Sequence, residues 1–211
     1  MKALIIGTAI AGVLFSAGIQ AHQAGDIIVR AGSATVRPSE DSGNVLGLGK
    51  FNVDNDTQLG LTFSYLFTDN IGIELLAATP FKHHVGLKST GDIASLKHLP
   101  PSLMAQYYFG DAPDKLRPYV GIGINYTTFY DTHFNQTGRD AGLSDLSLKH
   151  SWGIAGQAGL DYNIDENWLI NLSVWYMDID TDVRFKAGGQ QQSVHTDIDP
   201  WTFMFGVGYR F

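Results

Sequence analysis

Large apolar residues recur at every second position through most of the chain. The cleanest run is 57–68, where Leu59, Leu61, Phe63, Tyr65 and Phe67 alternate with Gln58, Gly60, Thr62, Ser64 and Leu66. The last eleven residues repeat the pattern. Trp201, Phe203, Phe205, Val207, Tyr209 and Phe211 are large, whereas Thr202, Met204, Gly206, Gly208 and Arg210 are small, polar or flexible. A strand sends successive side chains to opposite faces, so each run has one greasy face and one unlike it. Strands are predicted over 27–36, 57–68, 71–81, 99–109, 116–130, 148–164 and 168–185, with an eighth closing the chain.

The segments between the strands alternate in length. Long loops are predicted at 38–56, 82–95, 131–147 and 186–193, with a helical turn at 141–146 in the third. Tight turns fall at 68–70, 110–114 and 165–167. An even strand count with short turns at one end and long loops at the other is the pattern of bacterial outer-membrane barrels. Aromatics band near both predicted rims. Phe67, Tyr107, Phe109, Tyr162, Trp168, Tyr209 and Phe211 mark the turn end, and Phe81, Phe129, Trp152 and Trp201 the loop end. The expected fold is all-β: an eight-stranded antiparallel transmembrane β-barrel with short periplasmic turns, long extracellular loops and both termini periplasmic. A soluble two-sheet sandwich is the alternative, and it predicts neither aromatic banding nor a secretory leader.

Composition sharpens this reading. Lys2, the apolar run from Ala3 to Phe15, and Ile19-Gln-Ala21 fit a signal peptide over 1–21, leaving 22–211 as the barrel. Without Lys2 the chain has 13 basic and 21 acidic residues, a net charge of −8 with no basic patch, which argues against nucleic acid. Cysteine is absent, which excludes disulfides and thiolate metal sites. No later stretch is apolar and long enough for a membrane helix, so a membrane form must be a closed barrel. The terminal Phe211 with aromatics at alternate positions before it resembles the assembly signal read by the barrel-assembly machinery. The membrane partners implied are outer-membrane lipid and lipopolysaccharide.

An eight-stranded barrel is wide enough only for side chains or one small ligand, so function depends on what faces inward. Near the turn end inward parity selects Arg30, Glu74, Gln106, Arg117, Asp161, Asn171 and Arg210, an ion-paired polar plug. Higher up it selects Leu76, Met104, Trp175, Met177 and Met204. This apolar zone would either line a channel for small hydrophobic molecules or form a filled core. Pro100 and Pro101 cannot donate to a ladder. They either open the wall sideways into the lipid or mark a late start of the fourth strand.

The remaining chemistry is sparse. His83, His84, His98, His133, His150 and His195 lie in or near the loops, but no spacing picks out a catalytic triad. His83 and His84 are adjacent and would point apart on a strand, a weak basis for a metal site. Asp178, Asp180 and Asp182 would share a strand face at the outer rim, where cations bridging lipopolysaccharide could sit. No enzyme activity, cofactor or resident metal is expected.

Several stretches carry a family resemblance. They are Arg30-Ala-Gly-Ser-Ala-Thr-Val-Arg-Pro38, Thr57-Gln-Leu-Gly-Leu-Thr-Phe63, Asp69-Asn-Ile-Gly-Ile-Glu-Leu-Leu-Ala-Ala-Thr-Pro-Phe81, His98-Leu-Pro-Pro101, Arg117-Pro-Tyr-Val-Gly-Ile-Gly-Ile-Asn-Tyr126 and Trp175-Tyr-Met-Asp-Ile-Asp180. They closely resemble the outer membrane protein W (OmpW) family of enteric bacteria over essentially the whole chain after the leader. The resemblance implies a narrow hydrophobic channel for small hydrophobic molecules, with gate positions at Leu76 and Trp175 and a side opening near Pro100 and Pro101. It also carries an alternative, a structural or receptor protein acting through its extracellular loops, with bacteriocins or phage among the ligands.

Overall fold

The computed structural model describes residues 22–45, 47, 49–87 and 90–211, so the expected signal peptide over 1–21 lies outside the described residues. In chain order the elements are β1 (Ile27–Arg37), β2 (Asp41–Ser42), β3 (Phe51–Val53), β4 (Asp56–Leu66), β5 (Ile71–Ala78), β6 (Phe81–Leu87), β7 (Gly91–Leu99), β8 (Ser102–Tyr108), β9 (Leu116–Phe134), α1 (Gln136–Asp140), β10 (Leu143–Leu148), β11 (Ser151–Asn163), β12 (Trp168–Met177), β13 (Asp180–Ala187), β14 (Gln190–Asp197) and β15 (Trp201–Arg210).

Eight of these strands close an antiparallel barrel in the order β1, β4, β5, β8, β9, β11, β12, β15 and back to β1. Every strand pairs with its sequence neighbour in the barrel, and the β1–β15 ladder joins the two ends. Alternation sets the faces. On β15 Trp201, Phe203, Phe205 and Val207 are exposed, while Thr202, Met204, Gly206 and Gly208 are buried. Ile122, Ile154, Leu172 and Phe205 are each more than half exposed, an apolar belt that only lipid would cover. Aromatic pairs edge the belt. Tyr107 meets Phe109, and Trp168 meets Tyr209, at the turn end. Tyr126 meets Trp152, and Tyr176 meets Trp201, at the loop end. Phe81 and Phe129, placed by sequence in the outer girdle, are instead buried inside.

The predicted loops carry more structure than their composition suggests. Residues 82–87 and 91–95 belong to paired strands, β6 and β7, with Phe81 opposite His98, and β7 pairs onward with the extended top of β9. The seventh strand does not run unbroken over 168–185. It ends at Met177 and restarts at Asp180 as β13. β13 joins β14 through Gly188 and Gly189, both at positive φ, the geometry a two-residue hairpin turn requires. The helix lies earlier than predicted, at Gln136–Asp140, where the Asn135 side chain caps it by accepting from the Gly138 N–H at 3.0 Å. Residues 143–148 are strand instead. These additions raise the barrel wall well above the belt.

Candidate functional site

The barrel interior is stacked in three storeys. At the turn end Arg30 is the hub, fully buried with Glu74 and Asp161. Its guanidinium donates to Glu74 Oε2 at 3.0 Å, Asp161 Oδ1 at 3.1 Å, Ser64 Oγ at 2.7 Å and the Tyr108 hydroxyl at 3.0 Å. Gln157 donates to Glu74 at 2.7 Å and Asn171 to Asp161 at 2.7 Å. His22 enters from before β1 and meets Asp161 at 2.8 Å. Both carboxylates are thus paired with the one guanidinium and hydrogen-bonded, as burial demands. Tyr108 and Tyr119 pack with ring centroids 4.9 Å apart, the guanidinium lying over the Tyr119 ring.

Two arginines expected in this network also serve the turns, Arg117 with its guanidinium 5.9 Å from the centre of the Tyr108 ring. Arg117 turns toward the end of the barrel and donates to the carbonyls of Phe109 at 3.0 Å, Asp111 at 3.0 Å and Asp69 at 2.6 Å. Arg210 bonds the Glu166 carbonyl and meets Asp26 at 3.5 Å. These arginines tie down turns, because each lies at a strand end where unpaired carbonyls need donors. His22, Ser64, Tyr108 and Tyr119 are plug members absent from the inward set read from sequence. The tyrosines stand on inward parity and were legible in principle. His22 was not, since its partner is 139 residues away.

The middle storey is apolar and solid. Leu76, Met104, Trp175, Met177 and Met204 all face inward, none more than 4% exposed, and they form one cluster with Ala34, Val36, Phe81 and Phe129. Met177 sulfur receives Asn125 Nδ2 at 3.7 Å and Ser102 Oγ at 3.9 Å.

Above this layer the lumen opens into a cavity of about 60 Å³. Its wall is almost wholly apolar and includes Phe51, Val85, Leu96, Phe129, Phe134, Ile179 and Phe185. Two histidines join it. His83 and His98 stack with centroids 4.9 Å apart, and His98 also stacks on Phe81. Burial keeps both rings neutral, and burial with His83 alongside pushes His98 down to about 3. His83 and His84 do point apart: His83 is buried, while His84 is exposed on Asp54 at 2.9 Å. The strand break at 178–179 splits the acidic run, and Asp182 pairs with His195 at 3.2 Å.

The hydrogen-bond ladder of the wall is interrupted beside Leu76. The β5–β8 ladder stops at Leu76 opposite Ser102, and pairing resumes only at Phe81 opposite His98. Between them lie Pro80 on one side and Leu99, Pro100 and Pro101 on the other. Both proline carbonyls turn toward β9, where Asn125 Nδ2 donates to Pro100 O at 3.1 Å and the Tyr126 N–H to Pro101 O at 3.0 Å. The β5 side is left without a ladder partner, because proline has no N–H to offer.

Comparison with known proteins places this architecture. The OmpW family model matches residues 23–211. Outer membrane protein W of Escherichia coli (strain K12) is 62% identical over 212 residues, covering all of both chains. The crystal structure of OprG from Pseudomonas aeruginosa superposes with a TM-score of 0.85 at 45% identity, covering 92% of this chain and 99% of that one. Outer membrane protein AlkL, solved in lipid bilayers, superposes at 0.71 with 25% identity over 100% of this chain and 97% of that one. The chain belongs to the OmpW family and is an outer-membrane β-barrel.

Proposed function

We propose that this barrel is a narrow conduit that takes small hydrophobic molecules from the outer surface and releases them sideways into the membrane. The observation that carries this reading is the coincidence of three features: an apolar cavity, a sealed floor beneath it and an unladdered gap beside that floor. A solute that enters the cavity meets the Trp175 layer and then the ion-paired plug. Crossing either would mean displacing packed side chains or desolvated charges, whereas the gap beside Leu76 leads to lipid. In this reading the loop end faces outward and both termini lie in the periplasm. Phe211, 70% exposed at the turn end, is available as the assembly signal. The barrel acts by shape and polarity, with no chemical step.

The test is at Leu76, the last laddered residue before the gap. Leu76→Arg puts a cation at the exit. Uptake of naphthalene by cells producing this variant should fall to that of cells lacking the protein, while the folded, heat-modifiable band persists on gels. Unchanged uptake through a folded Leu76→Arg barrel overturns the conduit.

The receptor reading has one feature in its favour, the sheets built onto the loop end, β10–β13–β14–β2 and β9–β7–β6–β3. Exchange of the β13–β14 hairpin for a short turn separates the two. It should spare naphthalene uptake if the conduit acts and abolish adhesion of phage or bacteriocin if the surface does.

A further inference from the structure

Among the apolar side chains that line the cavity stand His83, His98, Thr127, Thr181 and Thr196, and two of their buried atoms, His83 Nε2 and Thr196 Oγ1, have no hydrogen-bond partner among the described residues. His83 is 2% exposed and Thr196 4%. The tautomer of His83 follows from its other nitrogen. Nδ1 lies 2.6 Å from the Asp54 carbonyl oxygen, which can only accept, so Nδ1 carries the hydrogen and donates. Nε2, on the opposite edge of the ring, is then a bare lone pair. Such an atom in a greasy wall forfeits its hydration unless something donates to it. Hydrophobic neighbours cannot do so. The stacked His98 ring cannot either, since near-parallel rings (20° between planes) present faces to each other, not N–H groups. Thr196, on the β14 side of the cavity, adds a hydroxyl that can accept or donate.

We infer that the cavity selects small apolar molecules bearing a hydroxyl group, the ligand O–H donating to His83 Nε2, over hydrocarbons, ethers and carbonyl compounds of the same shape. The inference rests on the conduit reading and names its substrate class. A site with a buried acceptor discriminates against an isostere lacking the donor, because the isostere's complex leaves that acceptor unpaired. The neutral state of His83, held by burial, keeps Nε2 an acceptor through the neutral pH range.

Full-length protein in lipid nanodiscs is titrated with 4-ethylphenol and with its O-methyl ether, 4-ethylanisole. Binding is followed by calorimetry and by the imidazole ¹⁵N resonances. Corrected for partition into empty nanodiscs, the phenol should bind about five- to tenfold more tightly, and it should move the His83 Nε2 resonance where the ether does not. His83→Phe keeps the ring and should erase the phenol's advantage while leaving the ether's affinity unchanged. Equal affinities in the wild type overturn the inference but leave the conduit standing. A phenol advantage that survives in His83→Phe overturns the role of His83. Failure of both probes to bind overturns the cavity as a binding site, and with it the conduit. The ¹⁵N reading needs no variant, so a misfolded His83→Phe does not remove the test.

Discussion

Arg30 shows how one residue commits the core of the barrel. Its charge is shared by two carboxylates, Glu74 and Asp161, with no solvent at any of the three. Loss of one partner from such a group is far costlier than loss of all, because the remainder becomes an unpaired buried charge. Arg30→Met should therefore destabilise the barrel by about 3–5 kcal/mol, read from urea unfolding in lipid vesicles. The neutral combination Arg30→Met, Glu74→Gln, Asp161→Asn should recover most of that loss. If the single and combined variants unfold alike, the ion pairs are not what holds the plug. His98 makes a residue-scale prediction of a different kind. Its folded value near 3 lies below the ordinary 6.5, so below pH 6.5 the opened form binds a proton that the packed form refuses. The hairpin's stability is full above 6.5 and falls by up to roughly 1.4 kcal/mol per pH unit down to about 3. The groups facing this ring are His83, Phe81 and Phe129, with Asp54 behind His83. Amide exchange in Phe81–Leu87 and Gly91–Leu99 should accelerate as pH falls through this window, after correction for intrinsic rates, and His98→Phe should flatten the response.

At the scale of the element, alternation carried most of the information. It gave the strand count, the turn positions and the inward set that includes Leu76, Met104, Trp175, Met177 and Met204. It failed where a segment serves two environments at once. In β6 and β7 one face lines the cavity and the other meets solvent, and a bulge at Val85/Gly86 shifts the parity, so the hairpin read as loop. Phe81 follows Pro80 and starts a new strand, so parity counted from β5 put it on the wrong face. The plug's hub was legible as a charge on inward parity, but which of its side chains also serve the turns depends on side-chain reach. Strand curvature was also hidden. Gly206, Gly32 and Gly60 form an inward row across β15, β1 and β4. A Cβ on Gly32 would stand 2.2 Å from the Phe205 carbonyl oxygen, and one on Gly206 2.4 Å from that of Ala31. The sheet curls too sharply there for any inward side chain, as a small barrel's closure requires. Gly32→Val should block closure of the β1–β15 seam, seen as loss of the heat-modifiable folded band on refolding. The outward Ser33→Val, its neighbour, should refold normally.

On the scale of the whole molecule the three storeys make opposite demands on a straight and a sideways path. A straight path must breach both the Trp175 layer and the Arg30 plug, so neutralising the plug should raise passage or at least alter it. A sideways path touches neither and depends on the gap. Continued past Leu76 and Ser102, the β5–β8 register would set Ala78 against Pro100. The chain has no cysteine, so Ala78→Cys with Pro100→Cys gives a unique pair, which a short reducible bis-thiosulfonate linker can bridge despite the missing ladder. Bridging should bring naphthalene uptake down to the level of cells without the protein, and reductant should restore it. The charge-neutral plug variant Arg30→Met, Glu74→Gln, Asp161→Asn should take up naphthalene at the wild-type rate. Both results follow only if the seal at the floor and the opening in the wall are parts of one device, the floor turning the solute toward the gap. Uptake that survives complete bridging, yet changes with the plug, would mean that the solute travels along the barrel axis and that the interrupted ladder is only a bend in the wall.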